Sequence, residues 1–316
     1  MFNHTTVLLH ETVDSLQLEP GSIAIDCTAG GGGHLALLLK ATGPQGKVYA
    51  FDQDIDAIKH LETRFSQEIQ DNRLQLIHER FSEIKNRLLS IDPSLLGRVS
   101  GIIADLGVSS HQIDTAARGF SFMADGPLDM RMNQSSNLSA ATIVNNFEEQ
   151  DIANILFDLG EERFARKIAR NIVARREEAP IKTTAELIKI VEESVHYRTK
   201  SKKHVATKTF QALRIAVNSE LEEVQQLLND AWELLKSDGS LGIISFHSLE
   251  DRLVKRDFKM KAGKRTNDAL AKLPIQSKEI PIEATIVKPF PITASSDEIS
   301  ANPRSRSAKL RVIKKN

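Results

Sequence analysis

Four consecutive glycines, Gly30 to Gly33, separate a β-branched run, Ser22 to Cys27, from a helical stretch that opens at His34 and reaches Lys40. Such a run is unfavourable inside a helix or strand, where each glycine loses backbone entropy and packs nothing. It suits a tight turn at which the backbone passes close to a neighbour or a ligand, next to the unpaired N–H groups of a helix start. The same rhythm then repeats. Lys47 to Phe51 reads as a second strand, Ile55 to Phe65 as a helix, Leu74 to His78 as a third strand and Gly101 to Ala104 as a fourth. Short β-branched runs alternating with helical ones predict a mostly parallel sheet with crossover helices, an α/β fold.

The rhythm breaks after Gly107. Ser109 to Asn137 is long and carries Gly, Asp and Met with little periodicity, and such a loop points to function or disorder. From Leu138 to about Ile215 the signal is helical. Phe164, Ala165, Ile168, Ala169, Ile172 and Val173 fall on one face, away from Arg163, Arg166, Lys167 and Arg170. Alternation returns with Ser219 and Glu222, spaced as a capping box. A buried stripe of Leu221, Val224, Leu227, Leu228, Ala231 and Leu235 follows, with Gly239 as the helix stop. Leu241 to Phe246 reads as a fifth strand, Leu249 to Phe258 as a helix, and Ile282 to Val287 and Lys309 to Ile313 as the last strands. The expectation is a discontinuous sheet domain, residues 1–110 and 216–316, interrupted by a helical insertion, residues 111–215.

Composition narrows the class. At 316 residues with 41% hydrophobic and 27% charged, the chain can bury a large core as an ordinary globular protein does. No apolar run approaches about 18 residues, which speaks against a membrane span. Met1 to Thr12 lacks the basic-then-apolar form of a secretory signal. One cysteine, Cys27, can form neither an internal disulfide nor a cysteine zinc cluster, so a reducing cytoplasm fits. His4, His10, His78 and His204 show no ligand spacing, and no metal is expected. Acids and bases balance at 42 each, but not locally. From Glu161 to Lys208 there are thirteen bases against seven acids, which reads either as a solvated helical face or as a nucleic-acid contact.

The glycine run fits a dinucleotide fingerprint poorly, because the third glycine position falls on Leu35 or Ala36. With Asp26 it resembles instead the D-x-G-x-G-x-G loop of class I methyltransferases, Thr28 replacing the first glycine. Asp52 ends the second strand, where a carboxylate can accept both ribose hydroxyls, although a strand-end Asp also serves as a helix cap. Phe81, just past the third strand, suits either an adenine contact or the core. Asp105 closes the fourth strand, at the edge where open α/β sheets bind ligands. The Asn/Asp/Ser-Pro-Pro-aromatic tetrapeptide of many amino-methyltransferases is absent.

More specific segments run in one order along nearly the whole chain. They include His4-Thr5-Thr6-Val7-Leu8-Leu9, the glycine loop ending at His34, and Asp105-Leu106-Gly107-Val108-Ser109-Ser110. Arg118-Gly119-Phe120-Ser121-Phe122 and Asp125 to Met132 follow, with Gly160 to Ala165, Thr209 to Arg214 and Val217 to Leu221. Ser245 to Arg252 and Asn302 to Ser307 complete the set. Together they resemble the MraW family of ribosomal RNA methyltransferases. The resemblance implies a class I, Rossmann-like core with an inserted helical domain. It also implies S-adenosylmethionine as methyl donor and N4 of a cytidine in the decoding region of 16S rRNA, within the small ribosomal subunit, as acceptor. By motif, the cofactor contacts are Gly32, Gly33, His34, Asp52, Phe81, Asp105 and Gln112.

Asp105 and His247 are the candidates for accepting a proton from the amine, with a packed loop histidine as the other reading of His247. A target base must leave its stack to be reached. Phe120 and Phe122 could then stack on it while Arg118 and Arg131 hold phosphates, or the phenylalanines could simply anchor the loop. Arg304 and Arg306 are further RNA candidates. A methyltransferase acting on another substrate, a noncatalytic assembly factor and a nicotinamide dehydrogenase are the competing readings. The oligomeric state stays open, a homodimer included.

Overall fold

Strands joined through helices have to run the same way, and this constraint accounts for most of the sheet. The structure, a computed structural model, describes residues 6–195, 204–264 and 281–316. Its strands are β1 (Ile23–Asp26), β2 (Lys47–Asp52), β3 (Leu74–His78), β4 (Val99–Asp105), β5 (Leu235–Ser245), β6 (Ala284–Ile286) and β7 (Lys309–Lys315). They form one sheet in the order β3-β2-β1-β4-β5-β7-β6. The pairs among β1 to β5 are parallel, whereas β7 is antiparallel to both β5 and β6. The dinucleotide-binding order 3-2-1-4-5-6 is thus modified by a reversed seventh strand inserted between the fifth and sixth.

In chain order the helices are α1 (Leu9–Asp14), α2 (Gly33–Thr42), α3 (Ile55–Arg64), α4 (Ser66–Gln70), α5 (Ile84–Ile91), α6 (Ser110–Asp114) and α7 (Ala140–Asn146). There follow α8 (Glu149–Asp158), α9 (Ala165–Glu178), α10 (Thr184–Ser194), α11 (Thr207–Asn218), α12 (Glu220–Leu234), α13 (Ser248–Lys261) and α14 (Ser296–Ala301). Among the described residues no helix is long and apolar enough to cross a membrane. The chain divides into two compact units, Met1–Gly107 with Leu221–Asn316, and Val108–Glu220.

In the sheet unit both faces are covered, which is why its strands read as near-continuous apolar runs. Ile25, Phe51 and Ile102 pack on one side with Leu227 of α12 and Phe258 of α13. Ala24, Val48 and Ile103 pack on the other with Leu35 and Leu38 of α2. Helix α12 stops one residue earlier than its apolar stripe predicts, and β5 begins at Leu235 rather than Leu241. The cause is a cation at the helix end. Lys315 Nζ donates to the carbonyls of Trp232 (2.7 Å) and Leu235 (2.8 Å), satisfying groups that another helical turn would have used. Pairing with β4 then slips between Val99 and Gly101. Ser219 sits in the left-handed region, φ 51°, as the C-cap of α11.

The helical unit has its own core, built from Ile143, Ile152, Leu156, Ile168, Ile172, Leu187, Ile190, Phe210 and Leu213, with Leu128 and Met130 from the irregular stretch. Helix α9 buries Ala165, Ile168, Ala169 and Ile172 as its periodicity predicts. Phe164 departs from that pattern and is 38% exposed, because it precedes the helix as its N-cap.

Candidate active site

The order of the strands places the sheet's switch point between β1 and β4, since the chain turns outward from β1 in both directions. Asp26 and Asp105 stand at the carboxyl ends of those two strands, and Asp52 at the end of β2. A short network ties the three strand ends together. Asp52 Oδ2 accepts the Gly30 N–H (2.8 Å) and Oδ1 accepts the Asp54 N–H (2.8 Å). Asp26 Oδ1 accepts the Thr28 N–H (3.1 Å), and Thr28 Oγ1 accepts the Asp105 N–H (2.6 Å). Asp52 therefore shapes the glycine loop with one oxygen, and each carboxylate oxygen keeps a further lone pair for another donor.

The glycines have local reasons to be glycine. Gly32 is left-handed, φ 80°, and a Cβ there would lie 2.6 Å from Phe65 and 2.7 Å from Leu61. At Gly33 a Cβ would meet Thr6 Oγ1 at 1.8 Å. Thr6 and the glycine loop are thus packed closely against each other. His34 is buried on the first turn of α2, and Phe81 is half-buried against the core beside α5 and α12.

Charge is the unusual property of this corner. Burial pushes Asp26 up to about 7, against the Thr28 hydrogen bond and with the Asp52 charge adding to the rise. Burial likewise raises Asp52 to about 6, opposed by the Asp54 and Gly30 N–H groups. Asp105 is raised well above the usual carboxylate range by burial and then by the like charges of Asp26 and Glu250. Asp26 Oδ2 and Asp105 Oδ1 are buried without a hydrogen-bond partner. Three carboxylates crowded in one place, two with an oxygen unmet, suit a ligand that brings positive charge and hydroxyl donors. S-adenosylmethionine has a sulfonium, an ammonium and a ribose, so the donor set fits it. Asp52 would hold the ribose, while Asp26 and Asp105 would face positive charge or N–H donors.

His247 has a different task. As the N-cap of α13 its Nδ1 accepts the Glu250 N–H (3.5 Å), and its Nε2 lies 3.1 Å from Glu250 Oε1. Glu250, almost wholly buried, in turn accepts the N–H groups of Phe246 (3.0 Å) and His247 (3.3 Å). The Nε2 of His247 is buried and makes no hydrogen bond among the described residues. Its structural place is to hold Glu250, whose charge acts on Asp105.

Of the remaining candidates, Arg118, Arg131, Phe120, Phe122 and Gln112 lie in the helical unit. Arg118 is only 5% exposed and donates to the carbonyls of Arg131 (3.0 Å) and Met132 (2.9 Å), bracing the loop rather than reaching for phosphate. Arg131 spends its fork on Asp129 (2.9 and 2.6 Å) and on the Ser136 carbonyl (2.7 Å). Phe120 is buried in the helical core. Phe122 stacks on His204 at 4.9 Å and meets the Phe210 edge at 5.8 Å. These two rings are anchors, not a free stacking platform. Gln112 is buried, and its Oε1 accepts the Ser109 N–H in a capping box. In the sheet unit, Arg304 and Arg306 are exposed on the turn Pro303–Ser307.

Asp26, Thr28, Thr6 and Glu250 were missing from the sequence-derived site. Asp26 was visible as the first residue of the loop pattern, and Glu250 as a Glu three residues after a helix-starting His.

A parallel sheet with one reversed strand and a carboxylate-lined glycine loop at its switch point defines a class I, Rossmann-like methyltransferase core. The chain belongs to the MraW methylase family, which matches residues 1–316, and it is an S-adenosylmethionine-dependent methyltransferase. A protein of Clostridium botulinum (strain Kyoto / Type A2) called ribosomal RNA small subunit methyltransferase H is 45% identical over 314 residues, 99% of each chain. One of the same name from Oenococcus oeni (strain ATCC BAA-331 / PSU-1) is 46% identical over 316 residues, covering 100% of this chain and 99% of its own. Among solved structures, a SAM-dependent methyltransferase from Aquifex aeolicus aligns over 98% of this chain and 90% of its own, at 9% identity and a TM-score of 0.38.

Proposed function

We propose that the chain methylates N4 of a cytidine in the decoding region of 16S rRNA, acting in the cytoplasm on the small ribosomal subunit. The observation that carries this reading is Asp105, with a buried, partnerless Oδ1 at the carboxyl end of β4, at the switch point. The shared name of the two relatives, ribosomal RNA small subunit methyltransferase H, supplies the substrate class.

Cytidine N4 is a poor nucleophile because its lone pair is delocalised into the ring. S-adenosylmethionine, when bound, supplies an electrophilic methyl group. The residues of this chain have to do the rest. Asp105 Oδ1 can accept an N4–H hydrogen bond, which favours the pyramidal nitrogen and receives its proton as the new bond forms. Positive charge held against Asp26 and Asp105 offsets the burial and like charges that favour their protonated forms. Asp52 and the glycine loop set position, from which much of the acceleration can come.

The test is labelled methyl transfer from S-adenosylmethionine to small subunits that lack their native modification, followed by nucleoside analysis. N4-methylated cytidine is the expected product. Cofactor binding without transfer to subunits or to free 16S rRNA would overturn the assignment.

A further inference from the structure

Helix α9 is divided along its length by what its arginines do. In the second half, Arg175 pairs with Glu193 (3.2 Å) and Glu178 (3.8 Å), and Arg176 donates to the carbonyls of Val144 (3.0 Å) and Phe147 (2.6 Å). At the first half, Arg163, Arg166 and Arg170 are exposed, and none has a hydrogen bond, ion pair or ring contact among the described residues. Arg166 and Arg170 are one helical turn apart, about 6 Å along the axis, on the same face.

This placement works against the helix. Cations in a first turn oppose the helix dipole. Helix α9 carries no acid within its first turn, and Glu162, just before it, is buried and accepts the N–H of the N-cap Phe164 (2.9 Å). Like charges four residues apart repel. A face that only needed to be solvated would gain from the reverse arrangement. Two aromatic rings near these arginines in sequence are not taken up by the core: Phe164 (38% exposed), next to Arg163, and Phe157 near the end of α8 (64% exposed). Exposed Asp158 and Glu161 repel phosphate at that end, which leaves it to an uncharged group.

Unpartnered guanidinium groups and exposed phenyl rings match the two things single-stranded RNA presents, phosphates and unstacked bases. We infer that this edge of the helical unit docks ribosomal RNA, with a backbone segment along Arg163, Arg166 and Arg170 and a base against Phe157 or Phe164. The inference rests on the substrate proposed above and goes beyond it by naming where the RNA is held.

The triple variant R163Q/R166Q/R170Q tests it, assayed by subunit binding across a salt series and by methyl-transfer kinetics. The KM for subunits should rise tenfold or more, with kcat and S-adenosylmethionine affinity within twofold of wild type. Three lost phosphate contacts should make the slope of log K against log salt shallower by about two to three. The melting temperature should hold or rise, since repulsion is relieved. F157A/F164A should weaken binding and leave the salt slope unchanged. A triple variant with wild-type KM and slope overturns the docking surface while methylation itself stands. A lower melting temperature with an unchanged slope makes the arginines structural and also overturns it. Weaker binding to subunits but not to free 16S rRNA assigns the face to a ribosomal protein instead. A wild-type enzyme that methylates no RNA defeats the substrate reading first.

Discussion

Asp105 in the sheet unit and Asp129 in the helical unit are both half-buried, yet they stand on opposite sides of the usual carboxylate range. Asp129 is buried enough to be raised, but the fork and backbone N–H of Arg131 hold it below that range. Asp105 has like charges for company and one oxygen without a partner. The same division separates the cations, with Arg118 and Arg131 spent on the loop and Arg163, Arg166 and Arg170 unspent. A charge that the fold balances belongs to the architecture. One left unbalanced marks where a ligand belongs.

Exchanging both acids for amides would break or sharpen that contrast. Asp105→Asn should lower methyl transfer by about 100-fold or more, the range for losing a positioned acid–base group. Its melting temperature should hold or rise, because the amide removes a carboxyl whose burial among like charges disfavours its ionised form. Asp129→Asn should do the reverse, costing about 1–3 kcal/mol through the hydrogen-bonded pair with Arg131, seen as a melting temperature several degrees lower. Its S-adenosylmethionine affinity should stay within twofold. Equal losses of stability in the two variants would show that the distinction is false.

A smaller effect follows from pH. Asp26 and Asp52, raised to about 7 and about 6, keep protons in the folded chain that an unfolded chain releases near pH 4. Their contribution to stability is full below about pH 4 and is lost as pH rises through 6 and 7. Asp125, Asp129 and Asp251, held below the usual range, complete their titration at lower pH and add no slope there. The melting temperature of the cofactor-free protein should therefore fall between pH 5 and 8, and Asp26→Asn should flatten part of that fall. Affinity for S-adenosylmethionine should move the other way, tightening as the carboxylates ionise. A wild-type profile that matches the variant would remove Asp26 from the account.

The fold was largely legible in the sequence because it follows from periodicity. β-branched runs, capping residues and the glycine turn are local signals, and β1 to β4 lie within a residue or two of where those signals put them. The start of β5 was not legible, since it depends on Lys315 reaching back to close α12 from the far end of the chain. The site divides in the same way. Asp52 and Asp105 are visible as acids at strand ends. The roles of Phe120, Phe122, Arg118 and Arg131 were not, because whether an arginine or a ring is free depends on its neighbours in space. Arg131 reads as a phosphate ligand until Asp129 is seen within its fork.

Arg304 and Arg306 provide the smallest and last comparison, since they set a cationic turn of the sheet unit against the arginine face of α9. Their turn is firmly held. Asn302 Oδ1 accepts the Arg304 N–H (3.3 Å), and the buried Ser305 hydroxyl donates to the Asn302 carbonyl (2.8 Å). Both side chains are presented to solvent from a fixed base. Two exposed cations should contribute less than three, so R304Q/R306Q should weaken subunit binding by about three- to tenfold and reduce the salt slope by less than two. Cofactor affinity should not change. Asn302→Ala, which loosens the turn and keeps both charges, should weaken binding less and leave the salt slope intact. If the double variant instead loses more than the α9 triple variant, the sheet unit grips the RNA itself, and the helical unit's exposed arginines are secondary to it.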